Sequence, residues 1–242
     1  MARLFILLYG IIAYVIFFII FLYSVGFVGN IFVPKSIDSG IEGSLAHALL
    51  INIILLGLFA VQHSVMARPA FKLWWTRVIP VPIERSTYVV FTNLVLAVLF
   101  WQWRPMTDAV WSVENTYGAA VLTGLFWLGW LIVFLSTFMI DHFDLFGLRQ
   151  VYLYYTKKEY TSHDFKKKAL YQFCRHPIML GFIIAFWATP QMTMGHLLFA
   201  FATTAYILIA IQFEERDLVG IFGETYKTYQ RQVSMLLPLK KK

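Results

Sequence analysis

The chain is poor in charge and nearly devoid of cysteine. Only 14% of its 242 residues are Asp, Glu, Lys or Arg, against roughly 25% in a soluble globular domain. Acidic residues are the scarcer kind, 13 against 20 Lys and Arg, which leaves a formal net charge of +7. Cys174 is the single cysteine, so an intramolecular disulfide and a Cys-x-x-Cys redox or zinc site are both excluded. No transporter-like internal repeat and no low-complexity stretch is present. Apolar residues are abundant instead: 60% of the chain is hydrophobic and 18% aromatic. The basic residues lie in loops between apolar runs, where a membrane surface is their natural partner. A soluble or nucleic-acid-binding role is excluded on the same grounds.

A membrane-crossing helix needs about 20 mostly apolar residues. Residues 4–28, 45–66, 118–140 and 195–213 have that character, and 88–103 is shorter but adequate. The run 178–188 is too short to cross alone, and Thr189-Pro190 and Gly195 separate it from the last span. The expected fold is an all-α integral membrane protein. It has five full transmembrane helices and one short helix that forms a hairpin with the last. The first run is longer than a signal-peptide core and no Ala-x-Ala site follows it, so it is read as a retained span.

Orientation follows from the basic residues. With the N-terminus inside, segments 1–3, 67–87, 141–177 and 214–242 hold one, four, seven and six Lys or Arg, 18 of the 20. Only Lys35 and Arg104 fall on the other side. This asymmetry places both termini in the cytoplasm. Trp74, Trp75, Trp101, Trp103, Trp111 and Tyr117 sit near segment ends, as an interfacial aromatic belt requires. Lys240-Lys241-Lys242 is expected to touch anionic lipid. The chain reads as one domain, 1–242. Residues 1–140 form a four-helix scaffold, and 141–242 carry the cytoplasmic loop, the hairpin and a cytoplasmic cofactor site.

Three clusters suggest chemistry. Arg175-His176-Pro177 precedes the short helix, where proline is favoured at the first helical position. Cationic side chains, free backbone N–H groups and the positive helix end would together suit a carboxylate. The plainer reading makes Arg175 part of the basic belt. Glu214-Glu215-Arg216-Asp217 stands where the last span ends. Carboxylates at a helix C-terminus oppose the dipole, which suggests a cationic ligand group, or else pairing with Arg175 or Arg216. A hairpin would bring these two clusters together, and an amino-acid-like ligand carries both charges. Tyr226 and Tyr229, with Phe222, offer rings to a purine or sulfonium, or anchor an interfacial helix. Asp141-His142-Phe143-Asp144, followed by Arg149 and Gln150, could serve proton transfer, although a lone histidine is more often interfacial. Gln62-His63-Ser64 reads equally as interhelical hydrogen bonding. No spacing of His63, His142 and His176 supports a metal site.

The ordered set Arg175-His176-Pro177-x-x-x-Gly181, Glu214-Glu215-x-x-Leu218 and Phe222-Gly223-x-x-Tyr226-x-x-Tyr229 resembles the C-terminal signature of the membrane methyltransferases. That group contains the isoprenylcysteine carboxyl and phospholipid N-methyltransferases, and the likeness covers residues 170–238. Other stretches resemble the narrower bacterial methanethiol S-methyltransferase family. They are Gln62-His63-Ser64-x-Met66-Ala67-Arg68-Pro69, Glu84-Arg85-Ser86-Thr87-Tyr88, Trp101-Gln102-Trp103-Arg104-Pro105 and 141–150. The NnrU-type membrane proteins share part of this pattern.

The resemblance implies S-adenosylmethionine as methyl donor, methanethiol as acceptor, dimethyl sulfide as product and residence in the bacterial cytoplasmic membrane. It implies a donor site from Arg175, His176, Pro177, Met179, Gly181, Glu214, Glu215, Tyr226 and Tyr229, with no metal. For the thiol, Arg149 or Arg175 is expected to lower its pKa and Asp141 or His142 to take its proton, with Gln150 in the same catalytic set. Met179 departs from the broader group, which often has Tyr there; this speaks against a standard isoprenylcysteine enzyme. Alternatives are a lipid or prenylated-cysteine acceptor, or a non-enzymatic NnrU-type protein.

Overall fold

The computed structural model describes residues 1–161 and 169–237. The Lys240-Lys241-Lys242 tail lies outside the described residues. In chain order the helices are α1 (Ala2–Gly29), α2 (Leu45–Ala67), α3 (Pro69–Trp75), α4 (Glu84–Gln102), α5 (Thr116–Ile140), α6 (His142–Leu145), α7 (Leu148–Tyr155), α8 (Pro177–Trp187), α9 (Met194–Phe222) and α10 (Glu224–Gln232). Two short strands, β1 (Ala109–Ser112) and β2 (Gln191–Thr193), pair antiparallel. Five helices are long and apolar enough to cross a membrane: α1, α2, α4 with the turn before it, α5 and α9. The fold is an all-α membrane protein.

Burial is inverted relative to a soluble protein. Helix α1 turns Phe5, Ile12, Val15 and Ile19 outward, while Asn52, Ser86, Asn93, Ser136 and Thr203 are buried. Lipid accepts the first group, and in the second Asn52, Ser86 and Thr203 donate to main-chain carbonyls.

The chain divides into two compact units, residues 1–106 with 141–162 and residues 107–140 with 163–242. In the first unit α4 packs on α1 and α2, and α1 also packs on α7. Asn52 of α2 secures the end of α4: its amide donates to the Arg104 carbonyl at 2.7 Å and accepts from the Arg104 N–H at 2.9 Å. Trp103 is fully buried and donates to the Ile37 carbonyl at 3.0 Å. It therefore belongs to the core and not to the aromatic belt, whereas Trp74, Trp101 and Tyr117 are exposed as expected. Between α6 and α7 the chain turns at Gly147, with φ +87°. A Cβ there would also lie 2.6 Å from the Ser86 nitrogen, so conformation and space both demand glycine.

In the second unit α5 lies against α8, and α8 against α9. Helix α8 has 11 residues, a rise of about 16 Å, roughly half the hydrocarbon thickness. The extended stretch after it completes the hairpin. Its backbone polar groups find partners: β2 pairs with β1, Val113 donates to Pro190, and the Trp111 indole donates to the Thr189 carbonyl. Non-helical backbone in a membrane protein needs such internal partners. Thr193 then caps α9, its hydroxyl accepting from the His196 N–H at 3.1 Å. The hairpin is fastened by Trp187 donating to Thr204 at 2.9 Å and by His196 against the Phe186 carbonyl.

One sequence expectation is corrected. The last span does not stop at Phe213; α9 continues to Phe222. Glu214 and Glu215 thus lie two turns inside a helix, and a dipole penalty no longer argues for their purpose. The polar residues do not end the helix because its continuation packs Leu218, Val219 and Phe222 against Tyr226, Tyr229 and Val233 of the following segment.

Candidate functional site

Pro177 starts α8 at its first position, which leaves Arg175 and His176 on the approach to the helix. That approach is held by the end of the described chain. The Arg175 N–H donates to the Ser234 carbonyl at 2.9 Å and the His176 N–H to the Met235 carbonyl at 3.2 Å. Cys174 sits beside Ser234 in the same bridge and is buried. Burial pushes its thiol pKa up, so it does not offer a reactive thiolate.

The Arg175 guanidinium is buried and held by one carboxylate and two main-chain carbonyls. Its Nε donates to Glu215 Oε1 at 2.6 Å, and one terminal nitrogen donates to the Gln230 and Val233 carbonyls at 3.1 and 2.5 Å. His176 stands between the two carboxylates, its Nε2 3.0 Å from Glu215 Oε1 and its Nδ1 3.5 Å from Glu214 Oε2. Glu215 Oε2 accepts from the Gln230 amide at 2.8 Å. Glu215 is thereby saturated by Arg175, His176 and Gln230. Glu214 differs: its side chain is 46% exposed, beside the start of α8. No side chain caps that helix. The hairpin brings the basic and acidic clusters together as expected, but Arg175 and Glu215 engage each other.

Tyr226 and Tyr229 are buried, with ring centroids 5.7 Å apart, and the Tyr229 hydroxyl donates to the Tyr171 carbonyl at 2.6 Å. Burial raises both phenol pKa values. Their rings form the core of the α9–α10 corner, packed against Leu218, Val219 and Phe222. Gly181 lies where α8 meets α5: its Cβ would come within 2.7 Å of the Gly129 carbonyl. Packing alone requires glycine there. Met179 is half-buried in the first turn of α8.

In the first unit, Asp144 is a hub. Its Oδ1 accepts from Arg149 at 3.0 Å and from the Gln150 amide at 3.3 Å, and Tyr160 donates to Oδ2 at 3.2 Å. Asp141 caps α6, accepting from the Asp144 N–H at 3.0 Å. His142 is buried beside Phe143 and Phe146, with Nε2 2.8 Å from the Tyr14 hydroxyl. Asp141, His142, Arg149 and Gln150 thus all make contacts that hold residues 141–150.

Burial lowers the His142 pKa below its usual 6.5, against the opposing charge of Asp141. The unfolded chain takes up this proton near pH 6.5 and the folded chain does not, so stability falls as pH drops below about 6.5. The melting temperature in detergent should decline over that range, and His142→Gln should flatten the decline. An unchanged acid slope in the variant would contradict it.

No family model and no solved structure matches the chain. Curated relatives do. The methanethiol S-methyltransferase of Crocosphaera subtropica is 57% identical over 238 residues, 98% of this chain and 93% of its own. Methanethiol S-methyltransferase 2 of Bradyrhizobium diazoefficiens is 57% identical over 98% of this chain and 91% of its own. The enzyme of that name from Mycobacterium tuberculosis is 54% identical over 98% of both. This chain belongs to the methanethiol S-methyltransferase family.

Membership of the methanethiol S-methyltransferases makes the chain an enzyme that needs a methyl donor. Sequence reasoning did not single out Gln230, the Val233 and Met235 carbonyls, Tyr14 or Asp144 as a hub. Gln230 falls one residue beyond the last quoted motif tyrosine, and backbone acceptors carry no side-chain signal. The bend of the chain back onto α9 reveals Gln230 and the two carbonyls, and the packing of α1 on residues 141–150 reveals Tyr14.

Proposed function

We propose that this chain methylates the sulfur of methanethiol with S-adenosylmethionine as donor, giving dimethyl sulfide. Near full-length identity to several methanethiol S-methyltransferases is the observation that carries the reading. The setting is the bacterial cytoplasmic membrane with both termini on the cytoplasmic side, supported by 18 of 20 basic residues falling there.

The residues around α8 suit the amino-acid end of the donor. The main-chain N–H groups of Ile178 and Met179 belong to an uncapped first turn, where a carboxylate is favoured. Glu214, half-exposed and next to His176, can take the ammonium. Pro177 fixes that turn. Arg175 and Glu215 are positioning residues: their mutual bond fixes where His176 and Glu214 stand. This shifts the anion contact from the Arg175 side chain to the α8 backbone. When bound, S-adenosylmethionine supplies an electrophilic methyl group that passes in line to a thiolate sulfur.

Asp141, His142, Arg149 and Gln150 are assigned to holding the 141–150 segment, because each already has a partner there. Methanethiol offers little surface, so its affinity should be weak. The bilayer can deliver such a small, apolar thiol.

Glu214→Gln should weaken S-adenosylmethionine binding about tenfold by calorimetry while leaving the melting temperature unchanged, since the side chain is half-exposed. Unaltered affinity would remove Glu214 from the site. The reaction itself is tested by headspace gas chromatography of purified protein. Dimethyl sulfide should appear only when donor and methanethiol are both present. Its absence from protein that still binds the donor would point to a lipid or prenylated-cysteine acceptor.

A further inference from the structure

The first unit contains a cavity of about 300 Å³ that lies outside the proposed donor site. Val81 and Pro82, from the turn that enters α4, form one wall, and Leu153 and Tyr154 of α7 with Lys158 just beyond it form another. Glu84, Arg85, Gln150 and Tyr160 complete it. Two guanidinium nitrogens at this corner are buried without a hydrogen-bond partner among the described residues. One is Arg85 Nε, in the cavity wall, and the other is Arg3 Nη1, whose guanidinium lies 5.2 Å over the Tyr154 ring. A buried charged donor left unsatisfied is costly, and an acceptor-rich anion would relieve it. Lys158 adds an exposed ammonium, so the cations outnumber Glu84.

The walls say which anion. Val81, Pro82 and Leu153 are apolar, and Val81 is exposed at the mouth. The cavity opens where α4 starts its membrane span, on the side that carries most of the basic residues. A ligand with a phosphate on one end and an apolar body on the other fits both features; a fully hydrated ion fits only the cations. We propose that this cavity binds a phosphate-bearing anion, and that its occupant is the headgroup of an anionic glycerophospholipid. The phosphate would meet Arg85 and Lys158, with the glycerol and upper acyl chain along Val81, Pro82 and Leu153.

The test is native mass spectrometry of the delipidated full chain with phosphatidylglycerol or phosphatidylcholine added. Phosphatidylglycerol should bind in preference. Exchanging both cations, Arg85→Gln with Lys158→Gln, should reduce the bound fraction about tenfold. Arg77→Gln, an exposed cation of the same basic loop outside the cavity, should leave it unchanged. Val81→Asp puts a carboxylate at the mouth without touching a buried group, and should cause the same loss if the double variant does not fold. Wild-type levels of phosphatidylglycerol on either cavity variant would overturn the proposal. Inorganic phosphate that displaces the lipid at equal concentration would keep the anion site and overturn the lipid as its occupant.

Discussion

Glu215→Ala should lower stability by about 3–5 kcal/mol, the usual cost of removing one partner from a buried ion pair. The Arg175 guanidinium would keep the Gln230 and Val233 carbonyls but lose its carboxylate, and His176 and Gln230 would each lose an acceptor. The loss should spread to the end of the chain, because Arg175 bonds residues 230 and 233 while its own N–H holds Ser234. A thermal melt in detergent, followed by tryptophan fluorescence, reads the effect. The double variant with Arg175→Ala should lose less than the two single variants together, with a coupling of about 0.5–3 kcal/mol. A Glu215→Ala melt superimposable on wild type would show that the network contributes nothing. Glu214→Gln, one residue away and half-exposed, is the matched control.

Gly181→Val should abolish folding of the second unit. Overpacking of a core usually costs about 1–3 kcal/mol because side chains can shift. Here the obstacles are backbone atoms: a Cβ on Gly181 would stand 2.7 Å from the Gly129 carbonyl oxygen and 2.9 Å from the Val133 nitrogen. Backbone does not rotate away, so α5 and α8 must separate and lose the face between them. Gly129→Val should do the same from the other side, its Cβ meeting the Ala185 nitrogen at 2.6 Å. Size-exclusion chromatography of detergent-solubilised protein would show aggregate in place of a monodisperse peak. A wild-type peak for either variant would mean that the two helices do not approach this closely.

The helical membrane architecture was legible because length and hydropathy alone decide which segments suit lipid. The hairpin was legible too: eleven apolar residues bounded by Pro177 and Thr189-Pro190 are too few to cross. The β1–β2 ribbon was not, since strands of three and four residues carry no period to read. The extension of α9 past Phe213 was hidden because Glu214-Glu215-Arg216-Asp217 look like the polar flank of a span. Only the packing of Leu218, Val219 and Phe222 against Tyr226 and Tyr229 shows why the helix continues. At the site, charge pattern foretold that Arg175 and His176 would meet Glu214 and Glu215. It could not divide their roles, because Glu215 is distinguished from Glu214 by its burial against Arg175 and Gln230. Trp103 shows the same limit: a tryptophan near a span end reads as interfacial until its indole is found on the Ile37 carbonyl.

The most direct test of the proposed activity is methyl tracing. Purified protein is given S-adenosylmethionine carrying a deuterated methyl group together with unlabelled methanethiol, and the headspace is analysed by mass spectrometry. The account predicts dimethyl sulfide with one labelled and one unlabelled methyl, formed at wild-type rate only while Glu214 is intact. Dimethyl sulfide without label, or none from protein that binds the donor, would contradict it.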